Sequence, residues 1–113
     1  VVLGEHIIVE AIFRDASVLD DPEALLHHLD VAARKGGMTV LDKRAHKFSP
    51  QGVTAFVLLA ESHVSIHTWP EHRYAALDIY TCGRNPEGVY RELIERLPIE
   101  RVEKVKILRG PTI

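Results

Sequence analysis

The sequence predicts an α+β protein, a two-layer sandwich in which one antiparallel β-sheet carries two helices on one face. The elements are short and switch between a period of two and a helical period. Segments with strand patterning outnumber segments with helical spacing. The chain has 113 residues, with no internal repeat, low-complexity tract or linker-like shift in composition, so residues 1–113 are read as a single domain.

Residues 5–13 alternate as a strand, with Ile7, Val9, Ala11 and Phe13 on one face. Asp20-Asp21-Pro22-Glu23 then supplies an N-cap candidate, a proline at the first helical position and an early acid. The helix that follows turns Leu25, Leu26, Leu29 and Ala33 to one side, and Gly36-Gly37 ends it. A second strand runs from about Thr39 towards Phe48, and Ser49-Pro50-Gln51-Gly52 is a turn. Val53–Ala60 is an apolar strand and His63–Thr68 an alternating one; Trp69-Pro70-Glu71 interrupts it before Tyr74–Tyr80 resumes. Asn85-Pro86-Glu87 starts a second helix bearing Val89, Leu93, Ile94 and Leu97. Val102–Leu108 is the last strand, with Val105 and Ile107 expected to point inward.

Fourteen Lys+Arg against sixteen Asp+Glu give a formal charge of -2, without the basic excess of a nucleic-acid binder. No apolar run approaches the roughly 18 residues of a membrane span, and the start shows no basic region followed by an apolar stretch. Cys82 stands alone and forms no internal disulfide, so a cytoplasmic setting is expected. Phe56-Val57-Leu58-Leu59 is apolar on both strand faces, which predicts a homodimer covering the face the helices leave open.

Glu61-Ser62-His63-Val64-Ser65-Ile66-His67-Thr68-Trp69-Pro70-Glu71 gathers serines, histidines, acids and the only tryptophan directly after an apolar strand. Polar groups there are either satisfied by capping and turns or functional. On a helix His63 and His67 would share a face as zinc ligands do, but Val64 replaces the glutamate of a zinc-protease motif. On a strand His63, Ser65 and His67 still share a face; with no ligand pair repeated elsewhere at tight spacing, no metal is expected. Ser62 or Ser65 with His67, and Cys82 beyond, could support acyl chemistry, yet the glycines of a serine-hydrolase elbow are missing.

Phe48-Ser49-Pro50-Gln51-Gly52, Ala60-Glu61-Ser62-His63, Ile66-His67-Thr68-Trp69-Pro70-Glu71 and Thr81-Cys82-Gly83 together closely resemble the prokaryotic S-adenosylmethionine decarboxylases, pyruvoyl enzymes of spermidine synthesis. The resemblance spans nearly the whole chain, including Gly4-Glu5-His6. It implies a precursor that cuts itself between Glu61 and Ser62 into a β chain, residues 1–61, and an α chain, 62–113, with Ser62 becoming a covalent pyruvoyl group. Thr54, eight positions before Ser62, matches a hydroxyl linked to processing, where serine is more usual; His67 matches the processing base. The pyruvoyl ketone is expected to form a Schiff base with the substrate amine and to act as electron sink. Cys82 matches the proton donor that follows carbon dioxide loss.

For the substrate, the resemblance points to Phe48 as an adenine-stacking residue, Trp69 as a second aromatic, Glu71 as acceptor for the ribose hydroxyls and Leu3 as an apolar contact. It also implies a site built across a dimer interface. His6, His27, His28 and His46 are read as ordinary surface or structural histidines. On one regular strand Ser62 and His67 point to opposite faces, which requires the cleavage site to lie in a turn or bulge before the strand proper. Two other functions compete: decarboxylation of arginine or ornithine on the same fold, favoured by Glu5 where a basic residue is common and by the short tail after Leu108, and a non-catalytic homologue that never processes.

Overall fold

The computed structural model describes residues 2–110. Among them, β1 (Gly4–Phe13), α1 (Pro22–Lys35), β2 (Val40–Lys47), β3 (Val53–Leu59), β4 (Ser62–Trp69), β5 (Tyr74–Thr81), α2 (Glu87–Arg96) and β6 (Ile99–Arg109) follow in chain order. The six strands form one sheet in the order β2-β3-β4-β5-β1-β6. Every neighbouring pair is antiparallel. No helix is long and apolar enough to cross a membrane among the described residues.

The caps act as their residue types dictate. Asp21 accepts the Ala24 amide at 3.0 Å with Pro22 in the first turn, and Gly37 takes up φ 89° just past the helix. Asn85 accepts the Glu87 amide at 3.0 Å where α2 begins. The two helices meet where Gly36 leaves room: a Cβ there would lie 2.5 Å from a methyl of Val89.

Period-two alternation divides the sheet into two chemically different faces. Ile7, Val9, Ala11 and Phe13 of β1 are buried with Val53, Ala55, Val57 and Leu59 of β3, Val64 and Ile66 of β4, and Ala75, Leu77 and Ile79 of β5. Leu25, Leu29, Ala32 and Ala33 of α1 and Val89 and Leu93 of α2 complete this core. The intervening residues form the open face, including His6, Ile8, Phe56, Leu58, His63, Ser65, His67, Asp78 and Tyr80.

The last strand departs from expectation. It is longer than Val102–Leu108, and Val105 and Ile107 do not point into the core; they are 57% and 40% exposed on the open face. Register decides this. Lys106 lies opposite Ile7 and Lys104 opposite Val9, so lysines take the helix-side positions of this edge strand. They keep their charge by pairing with acids at the rim: Lys106 with Glu5 at 2.7 Å, and Lys104 with Glu87 of α2. Alternation was right, but it could not say which face the helices cover.

Candidate active site

The polar segment begins at the β3–β4 hairpin. Leu59 pairs with Ser62, leaving Ala60 and Glu61 as the connecting turn. Glu61 is held at φ 65°, a left-handed conformation that costs a non-glycine residue about 1–3 kcal/mol. The strained residue therefore contributes the carbonyl immediately before Ser62. Ser62 opens β4, is buried on the helix side, and its Oγ accepts the backbone amide of Cys82 at 3.3 Å. That contact exists because Ser62 pairs with Thr81 across β4 and β5, and Thr81 in turn donates its hydroxyl to the Arg84 carbonyl. Cys82 is half-buried just beyond. Leu3 lies at the same end of the sheet, its amide bonded to the Arg109 carbonyl at 2.9 Å.

The other end of β4 carries a second group. Thr54 of β3 lies opposite His67, and its Oγ1 is 3.0 Å from His67 Nδ1. They line a cleft of about 350 Å³ together with Phe48, Gln51, Trp69 and Glu71. Trp69 stacks on Tyr74 at 5.3 Å between ring centres. The Tyr74 hydroxyl donates to Glu10 at 2.7 Å; desolvation and that acid together push the phenol up to about 12.

Thr68 holds this cleft from behind. Its buried hydroxyl donates to the Leu19 carbonyl at 2.6 Å and accepts the Val53 amide at 2.8 Å, tying the loop before α1 and the start of β3 to β4. Thr68→Val keeps the shape but leaves both backbone groups without a partner. The expected loss is about 2–4 kcal/mol of unfolding free energy, read from urea denaturation; a loss under about 0.5 kcal/mol would refute this role.

A single chain does not bring the two groups together. Ser62 and His67 project from opposite faces of β4, five positions apart, and at strand rise that is roughly 17 Å. The expected turn is present at Glu61, yet it does not turn Ser62 towards His67. Glu61, Ser62, Cys82 and Leu3 lie at one end of the sheet; Thr54, His67, Phe48, Trp69 and Glu71 gather at the other. His63 and His67 share the open face of a strand about 13 Å apart, too far for one metal ion.

The sequence reading missed a cluster on the open face beside Cys82. His6 is not an ordinary surface histidine: its side chain is only 17% exposed, and Nε2 lies 2.8 Å from Asp78 Oδ1 while Nδ1 lies 3.3 Å from Arg109 Nη1. No local signal announces this, because the partners lie 72 and 103 positions away. Burial and the neighbouring His6 hold His63 below the ordinary imidazole range, with Asp78 opposing. His46 also borders the second group, lying opposite Thr54 and edge-on to Phe48 at 4.6 Å.

A helix-backed sheet with a strained turn, a serine and a cysteine at one end of its central strand and a histidine-lined cleft at the other defines a class of small α+β sandwich. A family model described as S-adenosylmethionine decarboxylase matches residues 5–110. The chain is 46% identical over 110 residues to the S-adenosylmethionine decarboxylase proenzyme of Methanococcus vannielii, covering 96% of this chain and 90% of that one. It is 47% identical over 97 residues to the proenzyme of the same name from Synechococcus, covering 84% and 76%. The crystal structure of adenosylmethionine decarboxylase from Aquifex aeolicus superposes with a TM-score of 0.86 at 38% identity, covering 96% of this chain and 92% of that one. The chain belongs to the S-adenosylmethionine decarboxylase proenzyme family.

Proposed function

We propose that residues 1–113 are the single-domain precursor of a pyruvoyl-dependent carboxy-lyase that removes carbon dioxide from S-adenosylmethionine, yielding the aminopropyl donor for spermidine. The observation that carries this reading is the Glu61–Ser62 peptide, with a left-handed residue on one side and, on the other, a buried serine whose Oγ is held by an amide. Relatives across nearly the whole length are named proenzymes.

Ser62 Oγ attacks the Glu61 carbonyl carbon, and its ester replaces the amide. A base takes the α-hydrogen of residue 62, and the Glu61 carboxylate leaves. Water then hydrolyses the dehydroalanine, releasing ammonia and leaving a ketone at the new N-terminus of the α chain (62–113), apart from the β chain (1–61). The residues around Ser62 fit such a group, since the backbone amide of Cys82 already addresses its side-chain position. When formed, the pyruvoyl group supplies an electron sink for decarboxylation.

His67, with Thr54 on its ring nitrogen, is the processing base, a role that neutral imidazole suits. It acts on the Ser62 of a second copy. Stacking the open faces of two chains about a two-fold axis sets one copy's His67 against the partner's β3–β4 turn. There the imidazole reaches the Glu61–Ser62 peptide from the open side, although the Ser62 side chain itself is buried on the helix side. The exposed Phe56, Leu58, Val105 and Ile107 supply apolar surface for that homodimer. Phe48 and Trp69 offer faces to the adenine and the sulfonium, Glu71 accepts the ribose hydroxyls, and Leu3 closes the apolar side. Cys82 returns the proton to the substrate carbon. The enzyme works in the cytoplasm, where Cys82 stays reduced.

Intact mass and borohydride labelling of the purified protein test this reading, with carbon dioxide release measured on S-adenosylmethionine, arginine and ornithine. Two fragments divided at Glu61/Ser62, one labelled, with release from S-adenosylmethionine alone, are expected. One unlabelled chain would leave only a non-catalytic homologue, and release from arginine or ornithine alone would reassign the substrate.

A further inference from the structure

Thr81 ends β5 and is fully buried on the helix side, in one row with Glu5 of β1 and Ser62 of β4. The pairing of β4 with β5 stops at Ser62 and Thr81. One residue further on, the amide of Cys82 donates to a side chain, Ser62 Oγ, at 3.3 Å. With the ladder ended, the direction of that amide is set by the turn that follows.

The turn leaves β5 at Thr81 and arrives at α2, where Glu87 is tied to Lys104 of β6. Midway, Gly83 takes φ 75° in open space, where a Cβ would meet nothing within 4 Å. The glycine therefore serves the backbone conformation and supplies no side-chain contact. On the outer side Arg84 Nη1 donates to the Gly37 carbonyl at 3.3 Å. On the inner side the Thr81 hydroxyl donates to the Arg84 carbonyl and closes the chain around Cys82. Both hydroxyls of the buried row thus meet the same short segment: Thr81 holds residue 84, and Ser62 receives the amide of residue 82.

We propose that Thr81 is a positioning residue for self-cleavage, its hydroxyl fixing the turn that keeps the Cys82 amide on Ser62 Oγ. The consequence for cleavage rests on the proenzyme reading. A serine hydroxyl has three staggered positions about Cα–Cβ, and an amide that donates to one of them favours it. The same N–H stabilises the charge that gathers on Oγ as its proton leaves and attack on the Glu61 carbonyl begins. Without the Thr81 hydroxyl the backbone of residues 82–84 loosens, and Oγ loses both effects.

The test follows cleavage of wild-type, Thr81→Val and Thr81→Ser precursors made by cell-free translation, read by denaturing electrophoresis with and without hydroxylamine. Valine keeps the branched shape and removes the hydroxyl. Cleavage of Thr81→Val is expected to slow about 2- to 10-fold, the span of one hydrogen bond, and Thr81→Ser to recover to within about twofold of wild type. Hydroxylamine attacks the ester carbonyl, leaving Glu61 as a hydroxamate and the proton on Ser62 Oγ, so it bypasses every step after the ester. It should therefore speed His67→Ala and leave the Thr81→Val deficit in place, because that deficit lies in forming the ester. A purely structural role predicts no such division between steps. A wild-type rate in Thr81→Val, an equally slow Thr81→Ser, or a deficit erased by hydroxylamine overturns the proposal.

Should Thr81→Val fold poorly, Thr81→Ala against Thr81→Ser provides the same contrast. Amide exchange followed by NMR in the long-lived His67→Ala precursor is an independent readout. Loss of the Thr81 hydroxyl is expected to quicken exchange about 2- to 10-fold at Cys82 and not at Ile79 in the core of β5; equal exchange at Cys82 overturns the proposal. If wild type stays a single chain, the functional reading fails and the cleavage role with it, while the exchange contrast still decides whether Thr81 holds the amide.

Discussion

Ser62→Ala is expected to abolish chain cleavage and decarboxylation together, because no hydroxyl remains to attack the Glu61 carbonyl. The same variant becomes informative when paired with a second. His67→Ala keeps Ser62 and Cys82 but lacks the base, so by itself it should cleave about 10²- to 10⁴-fold more slowly than wild type. Co-expressed, each chain carries the half-site that the other lacks. In a mixed dimer the Ser62→Ala chain presents an intact Thr54–His67 pair to its partner's Glu61–Ser62 bond. About half of the His67→Ala chains should then be cut, the share that random two-fold pairing places in mixed dimers. Denaturing electrophoresis reads the result. Cleavage no faster than in His67→Ala alone would refute the shared site, and with it the arrangement that reconciles the roughly 17 Å between Ser62 and His67 with a common reaction.

Cys82→Ala separates the two stages in the opposite sense. Processing should survive, for a reason visible in the backbone: the group that holds Ser62 Oγ is the amide of residue 82, which an alanine keeps. Turnover should fall about 10²- to 10⁴-fold, the usual worth of a placed proton donor. The measurement is fragment formation on a gel beside carbon dioxide release from S-adenosylmethionine. An uncut Cys82→Ala protein would overturn this division of labour, and a cut protein with full turnover would remove Cys82 from the chemistry.

Much of the candidate site was legible because it lies in one contiguous run. Glu61 to Glu71 declares its serines, histidines and aromatics in order, and strand alternation alone places Ser62 and His67 on opposite faces. The structure adds how far apart the halves fall, and it explains Thr68, which the motif contains but whose role is to bind Leu19 and Val53 rather than substrate. The Arg109–His6–Asp78 cluster was not legible. Nothing near His6 distinguishes it from His27 until β1 is laid between β5 and β6.

What the sequence by itself determined is local: the strand and helix periods, the Asp21 cap, the glycine stop after α1, the turn at Glu61, and the reactive groups along β4. Each depends on sterics and hydrogen bonds within a few residues, so a short window encodes it. What only the tertiary structure decided is which face of the sheet is covered, and therefore that Lys104 and Lys106, not Val105 and Ile107, take the helix side of β6. It also decided that a cysteine amide reaches Ser62. These depend on register between strands distant in sequence, which is set by the summed packing of the whole core and not by any one segment.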